Sequence, residues 1–238
     1  MTEQLYTKII DQLPSNTVIV PFFRGESMLH PHFDAMMEKL QRFETVQFTT
    51  NADFLDDYAQ KKILNSCTFV TLSLHEYQLP TQTSWTKFLL EAKKENVTTQ
   101  IGIIDSTLPQ ANKKEFIQAW LKHADRVRIY AEHSHNGYGD IPNPPVLDVN
   151  LRCKKPFEEL AVYWDGQVAL CNHDWNNHDG LGDLNTMSIH DVWHGLAYAG
   201  IREYNQEGQR ARIGSCQNCD AWRTYYLPSG ILGELYTN

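Results

Sequence analysis

The chain has 238 residues, 42% of them hydrophobic and 21% charged. That is enough to bury one large core, or a core with a smaller companion, and it excludes collagen-like and largely disordered classes. Lys and Arg number 21 against 29 Asp and Glu, a formal charge of -8, which argues against a nucleic acid partner, because neutralising phosphates supplies most of that affinity. The opening MTEQLYTKIIDQ lacks the basic and apolar regions of a secretory signal, and the longest apolar stretches are too short to span a bilayer. A cytoplasmic protein with no membrane partner is expected.

Along the chain, Leu5, Ile9, Ile10 and Leu13 share a helical face, Thr17 to Phe23 reads as a buried strand, and Phe33, Met36, Met37, Leu40 and Phe43 return to helical spacing after Pro31. Strand-like runs recur at Val46 to Thr50, Phe69 to Leu74, Thr98 to Ile104 and Arg126 to Tyr130. Helical stretches at Phe54 to Leu64, Trp85 to Lys94 and Lys113 to His123 separate them. Alternation of this kind forces parallel strands joined by helical crossovers, so an α/β sheet or open barrel of five strands is predicted for residues 1-130, with functional groups at the carboxyl ends of the strands.

The alternation stops in the His-, Asn-, Gly- and Pro-rich segment 131-152, which reads as a linker. Past it, Glu159 to Trp164 and Gln167 to Cys171 flank Asp165-Gly166, the signal of a two-residue hairpin whose turn residues both tolerate positive φ. A loop rich in Asn, Asp and Gly follows, taken as a solvated turn even where it carries His173, Asp174 and His178. Ser188 to Asp191 then forms a capping box opening a helix through Val192, Trp193 and Leu196 that Gly200 can end. His30 and His32 read as a helix cap and a surface residue. Trp164, Trp175, Trp193 and Trp222 are expected to pack together in residues 153-238.

The five cysteines are Cys67, Cys153, Cys171, Cys216 and Cys219. An odd number in a reducing compartment argues against a disulfide framework. Cys153 precedes the hairpin, Cys171 ends it, and Cys216 and Cys219 form a C-x-x-C pair after the helix. Four thiolates brought together by a loop folding back over the hairpin suit zinc or an iron-sulfur cluster, and a first pair split across a hairpin, unlike a zinc ribbon's two knuckles, leans toward the cluster. Unrelated buried thiols are the plain alternative. Cys67 should stand apart.

The run from Cys153 through Gly166 to Cys171, the segment DGLGDL at Asp179 to Leu184, Ser188 to Trp193, Arg202, and the pair Cys216 and Cys219 resemble the C-terminal SPASM/twitch module of radical S-adenosylmethionine (radical SAM) enzymes. Phe23 to Pro31 resembles the GGEP-type loop of the same superfamily's barrel, Thr49 to Asp56 its TNG segment, and Val70 to His75 its serine-bearing strand. The resemblance covers nearly the whole chain. It implies an incomplete parallel (β/α) barrel of the radical SAM type, and a small twitch/SPASM-like iron-sulfur domain at 153-238.

It further implies that Cys153, Cys171, Cys216 and Cys219 hold one auxiliary [4Fe-4S] cluster, since no cysteine follows Cys219 to build a second. Gly25, Glu26 and Ser73 take the positions at which the family contacts S-adenosylmethionine, although Arg24 and Ser27 replace a Gly and a Pro there. The family's CxxxCxxC is absent from these 238 residues. An iron-sulfur protein that binds a substrate, peptide or partner, or relays electrons, without cleaving S-adenosylmethionine on its own is therefore expected. A radical enzyme component completed by a CxxxCxxC segment from another chain, and a structural zinc scaffold, are the alternatives. An edge left open by a missing first strand should be covered, by the first helix, by the second domain or by another copy in a homo-oligomer.

Overall fold

The computed structural model describes residues 1–80, 84–132, 147–148, 150–227 and 233–237. Two compact units emerge, one of residues 13–131 with 233–238 and the other of residues 1–12 with 132–232. Relative to boundaries at 130 and 153, the termini are exchanged. The first helix, α1 (Glu3–Ile10), clusters with the cysteine-bearing unit, and the last strand, Gly233–Thr237, joins the sheet. Most of the expected linker, including His133 and His135, lies outside the described residues.

The sheet unit follows the predicted alternation: β1 (Val18–Ile19), α2 (Phe33–Glu38), β2 (Thr45–Thr50), α3 (Asp57–Ser66), β3 (Phe69–Leu74), α4 (Ser84–Lys94), β4 (Thr98–Ile104), α5 (Lys113–Trp120) and β5 (Arg126–Tyr130). The five strands pair in chain order and all in parallel. Crossovers of one hand between sequential neighbours put every helix on the same face, and the residues obey that rule. Val46, Phe48, Val70, Leu72, Leu74, Ile101, Ile103, Val127 and Ile129 are buried, as are Met37, Leu40, Ile63, Phe88, Leu89, Phe116 and Trp120 of the crossovers.

Side-chain alternation sends the intervening residues to the opposite face. Register aligns Thr49 with Thr71, Thr71 with Gln100, Ser73 with Gly102, Gly102 with Arg128 and Ile104 with Tyr130. This face is polar and internally bonded: the Gln100 amide donates to Thr71 Oγ1 at 3.3 Å and to the Tyr130 hydroxyl at 3.0 Å. Gly102 belongs here because a Cβ would stand 3.1 Å from the Tyr130 ring and 3.2 Å from the Thr71 methyl.

The sheet departs from expectation at its edges. The first strand is two residues long rather than the run Thr17 to Phe23, since Pro21 offers no N–H to a ladder and Val20 and Phe22 are exposed. At the other side Gly233–Thr237 pairs antiparallel with β5, and Glu234 accepts from Lys113 at 2.9 Å. The sheet thus has six strands, five of them parallel, and among the described residues β1 pairs only with β2. Helix α3 begins at Asp57, not Phe54, because the Asp56 carboxylate caps it by accepting from the Tyr58 and Ala59 amides at 3.0 and 2.8 Å.

The other unit is built from a short helix α6 (Lys155–Glu158), the hairpin β6 (Ala161–Val162) and β7 (Val168–Ala169), and two helices, α7 (Ile189–Trp193) and α8 (Leu196–Gln206). Leu5 and Ile9 of α1 join Val168, Leu170, Leu184, Val192, Tyr198 and Ile201 in its core, each fully buried large side chain supplying about 1.5–3 kcal/mol. The Lys8 ammonium donates to the carbonyls of Leu184 and Asn185 at 2.7 and 2.8 Å, which fixes α1 on the loop after the hairpin.

The hairpin turn is not the two-residue form. Tyr163 N–H bonds Gln167 O and Gly166 N–H bonds Tyr163 O, while Gly166 alone takes a positive φ, +93°. This is the longer turn with a glycine bulge. Nor does Gly200 end the capped helix: it lies inside α8, and the break falls at Gly195, where a Cβ would stand 2.7 Å from Asp191 O. The capping box itself forms, Ser188 Oγ accepting from Asp191 N at 3.0 Å.

Candidate metal centre and the Gly25 loop of the sheet unit

The four outer cysteines sit on four different local structures. Cys153 precedes α6, Cys171 follows β7, Cys216 ends a 3-10 turn at Gly214–Cys216, and Cys219 follows it by three residues. All four are free thiols. Cys153 feels the charge of Cys171, Cys216 feels Cys153, Cys171 and Cys219, and Cys219 in turn is felt by Cys171 and feels Cys153. Every pair among the four is therefore within electrostatic reach. Cys67 lies in the sheet unit at the end of α3, where burial alone pushes it up to about 12.

Burial pushes Cys153 and Cys171 up to about 11 and raises Cys216 and Cys219 as well. A thiol so placed keeps its proton unless a cation replaces it. The local backbone is nevertheless arranged for thiolates. His173 N–H points at Cys171 Sγ and Ala221 N–H at Cys219 Sγ, both at 3.4 Å, and the Lys155 amide bonds Cys153. In each case the donor lies two residues after the cysteine. The charges of Lys155 and Arg210 also favour the thiolate of Cys153. Buried sulfurs, amide donors and cations together fit a metal-bound thiolate set. Among the described residues, no three His, Cys, Asp or Glu side chains are arranged to enclose a single metal ion.

Several supports were not singled out in the sequence. Asn205, wholly buried on the inner side of α8, accepts from Cys153 N at 2.8 Å and donates to Cys153 O at 2.9 Å. Its signal was a polar residue at the core spacing of Tyr198 and Ile201. The Asp174 carboxylate accepts from Leu170 N at 3.1 Å, and His173 and Asp174 are buried. This corrects the solvated-turn reading, for the loop folds around that carboxylate. Asp179 accepts from Gly214 N and Ser215 N at 2.9 and 3.1 Å and from the Ser215 hydroxyl, holding the approach to Cys216. Arg202 donates to Pro156 O and Trp193 O at 2.8 and 2.6 Å and lies over the Trp193 and Tyr198 rings.

The expected tryptophan cluster does not form as stated. Trp164 is 75% exposed at the hairpin tip and Trp175 is 50% exposed. Trp193 packs against Tyr198, whereas Trp222 packs under Arg210.

In the sheet unit, Gly25 adopts φ +80°, a conformation that directs the chain into a 3-10 turn, Ser27–Leu29. Glu26 has both oxygens engaged: Oε1 accepts from Met28 N at 3.1 Å, and Oε2 accepts from Thr50 Oγ1 at 2.9 Å and Asn51 N at 3.0 Å. Glu26 thus ties the loop after β1 to the carboxyl end of β2. Ser73 lies on the polar face of β3, half-buried, beside Gly102. Arg24 is exposed and folds over the Phe23 ring at 4.7 Å. His32 starts α2 without a side-chain cap bond, and its amide donates to His30 Nδ1 at 3.1 Å. Nearby, an open cleft of about 560 Å³ is lined by Met28, His30, Asp34, Phe54 and Tyr58 among others.

Comparison with known proteins bears on both units. The family model of SPASM, an iron-sulfur cluster-binding domain, matches residues 153–220. The S-adenosyl-L-methionine-dependent 2-deoxy-scyllo-inosamine dehydrogenase of Niallia circulans is 26% identical over 228 residues, 92% of this chain and 80% of the relative. The crystal structure of BtrN in complex with AdoMet and 2-DOIA superposes with a TM-score of 0.64 at 18% identity, covering 92% of this chain and 80% of BtrN. Streptococcus suis SuiB bound to precursor peptide SuiA gives 0.63 at 13% identity, covering 93% of this chain and 62% of SuiB. No helix among the described residues is long and apolar enough to cross a membrane. The domain match and these relatives make the chain similar to radical S-adenosylmethionine enzymes that carry a C-terminal SPASM iron-sulfur cluster-binding domain, and its mostly parallel sheet shares their fold.

Proposed function

We propose that the chain holds one [4Fe-4S] cluster through Cys153, Cys171, Cys216 and Cys219 and serves as a cluster-bearing binding or electron-relay protein, without cleaving S-adenosylmethionine by itself. The observation that carries this reading is that all four thiols, Cys153 and Cys171 buried and Cys216 and Cys219 half-buried, lie within electrostatic reach of one another, with an amide donor two residues after each of Cys153, Cys171 and Cys219. A zinc ribbon presents its four sulfurs on two similar C-x-x-C knuckles, whereas here Cys153 and Cys171 are split across the hairpin β6 and β7. A cluster, whose thiolates cap separate irons, accommodates such a split set.

Reductive cleavage of S-adenosylmethionine needs an iron with an open coordination position. Four cysteines on one cluster leave none, and these 238 residues contain no CxxxCxxC. Gly25, Glu26 and Ser73 are then the remaining candidates for a nucleoside or amino-acid ligand. With both Glu26 oxygens occupied within the protein, Glu26 acts first as a brace for the two strand ends. The substrate, peptide or partner is one that the polar sheet face can bind; peptide recognition has precedent in SuiB, whose structure contains a precursor peptide.

The test is anaerobic reconstitution of the purified chain, followed by iron, sulfide and zinc analysis. About four irons and four sulfides per chain are expected, and all should be lost in a Cys171→Ser, Cys216→Ser double variant. Stoichiometric zinc without sulfide refutes the cluster and favours the structural scaffold. The reduced protein incubated with S-adenosylmethionine should form no 5'-deoxyadenosine. A second reading, completion in trans, is favoured by one observation: among the described residues β1 is paired on one side only, with Val18 and Val20 exposed. It predicts 5'-deoxyadenosine only when a second polypeptide bearing CxxxCxxC is added.

A further inference from the structure

Each cysteine-bearing segment must be held against the others, and the sulfur ligands cannot do this before the inorganic group is in place. One side chain reaches three of the segments. Arg210, only 7% exposed, lies six residues before Cys216. Its Nη1 donates to Leu151 O, two residues before Cys153. Its guanidinium lies 4.2 Å from the centroid of the Trp222 ring, three residues after Cys219. The backbone around Arg210 is itself closed, with Ile213 N–H bonded to Arg210 O and Cys216 N–H bonded to Ile213 O, so a shift of Arg210 is transmitted to Cys216.

A buried guanidinium is permanently charged, and desolvating it is costly unless nearby negative charge repays the loss. Its hydrogen bond to a neutral carbonyl and its aromatic stack offset part of that cost. Thiolates at Cys153, Cys216 and Cys219, whose charges Arg210 feels, would compensate it further.

We propose that Arg210 is the positioning and potential-setting residue of the four-sulfur site: it clamps the segments of Cys153, Cys216 and Cys219 together and supplies the fixed positive charge that favours the more negative, reduced form of the bound group. This rests on the cluster reading above. Reduction adds one electron to the cluster and no proton, so an adjacent cation favours the reduced side, and its removal moves the potential to more negative values.

The experiment compares the reconstituted full chain with Arg210→Lys and Arg210→Met. Three quantities are read: iron and sulfide content, midpoint potential by mediated redox titration, and the rate of iron loss to an external chelator. Arg210→Met keeps most of the stem but loses charge and fork, so a more negative potential and at least tenfold faster iron loss are expected. Arg210→Lys keeps the charge but not the planar fork stacked on Trp222, so its potential should stay near that of the parent while iron loss still accelerates.

Unchanged potential and unchanged release rate in Arg210→Met overturn the inference and leave Arg210 a packing residue. An equal potential shift in both variants overturns the electrostatic half. Should Arg210→Met fail to fold by circular dichroism, the Lys variant decides, since a release rate equal to that of the parent refutes the clamp. A parent chain that takes up no iron and sulfide fails at the earlier step and refutes the cluster reading itself.

Discussion

Asn205 offers the sharpest test of how this site is built. Its amide satisfies the N–H and the C=O of Cys153 at once, at 2.8 and 2.9 Å, from a position with 0% exposure. In Asn205→Ala both backbone groups lose their partner where little water can replace it. An unsatisfied buried polar group costs about 1–3 kcal/mol, so two cost roughly 3 kcal/mol after partial relaxation, a large share of the ~5–15 kcal/mol that holds a domain together. With a urea slope of about 1–3 kcal/mol/M, the midpoint of the cysteine-bearing unit should fall by about 1–3 M.

Asn205→Asp keeps the acceptor for Cys153 N–H, loses the donor to Cys153 O, and places a negative charge close to a cysteine ligand. Its stability should lie between parent and Ala, yet its cluster uptake should be poorer than that of the Ala variant, an inversion that no purely steric account gives. Urea unfolding of the reduced apo chain, followed by tryptophan fluorescence, measures the first effect, and iron content after reconstitution the second. An Asn205→Ala midpoint within roughly 0.3 M of the parent, worth about 0.3–0.9 kcal/mol on the same slope, would show that Cys153 is held by something other than this clamp.

Three other outcomes are expected. In the reduced metal-free chain, Cys153 and Cys171 are raised by burial from 9.0 to about 11, so the folded state holds these protons more tightly; the resulting stability is complete below about pH 9 and lost as pH rises through about 11. Urea midpoints taken across that window should fall, and a double Cys→Ser variant at these positions should flatten the decline; a flat profile in the parent would contradict the burial argument. Glu26→Ala strands the hydroxyl of Thr50 and the amides of Met28 and Asn51 and should lower thermal stability of the sheet unit by about 1–3 kcal/mol, with Glu26→Gln losing less; a Tm unchanged in both would remove the bracing role. Asp179→Ala frees Gly214 N, Ser215 N and the Ser215 hydroxyl and should speed chelator-driven iron loss, whereas a rate equal to that of the parent would mean that the Cys216 loop is set without it.

The sheet was legible because its information is local. Runs such as Phe69–Leu74 and Thr98–Ile104 are rich in β-branched and apolar residues within one short stretch, and helices of amphipathic spacing lie between them. What escaped were elements whose existence depends on a distant partner. The strand Gly233–Thr237 has a short polar pattern, and it becomes a strand only where β5 offers an unpaired edge and Lys113 a charge for Glu234. The first strand shortened for the opposite reason: Thr17 to Phe23 reads as apolar throughout, but Pro21 interrupts the donors and Gly25 turns the chain away. Likewise Gly200 has the identity of a helix terminator, yet position decides, and the steric closure of Gly195 against Asp191 O comes first.

The same distinction separates the proposed cysteine ligands from the residues around them. Cysteine is rare enough that Cys153, Cys171, Cys216 and Cys219 announce themselves by type and spacing, but Asn205, Asp174, Asp179 and Arg210 are ordinary residues whose roles come from burial. Each is polar and tied to the backbone of a segment leading into, or out of, a cysteine. A flexible loop would not need them. Four thiols raised above their ordinary range by burial repel one another once ionised, so a protein that gathers them before the inorganic group arrives must counter that tendency with structure rather than with the group itself. Side chains bonded to the backbone of these segments do this without themselves supplying a sulfur ligand. The physical corollary is that the site should remain gathered, with protonated thiols, in the reduced metal-free chain, and hydrogen exchange at Cys153 N should stay protected there. Exchange at the rate of an open loop would mean that the cluster organises the site, and that the supports act only after it has bound.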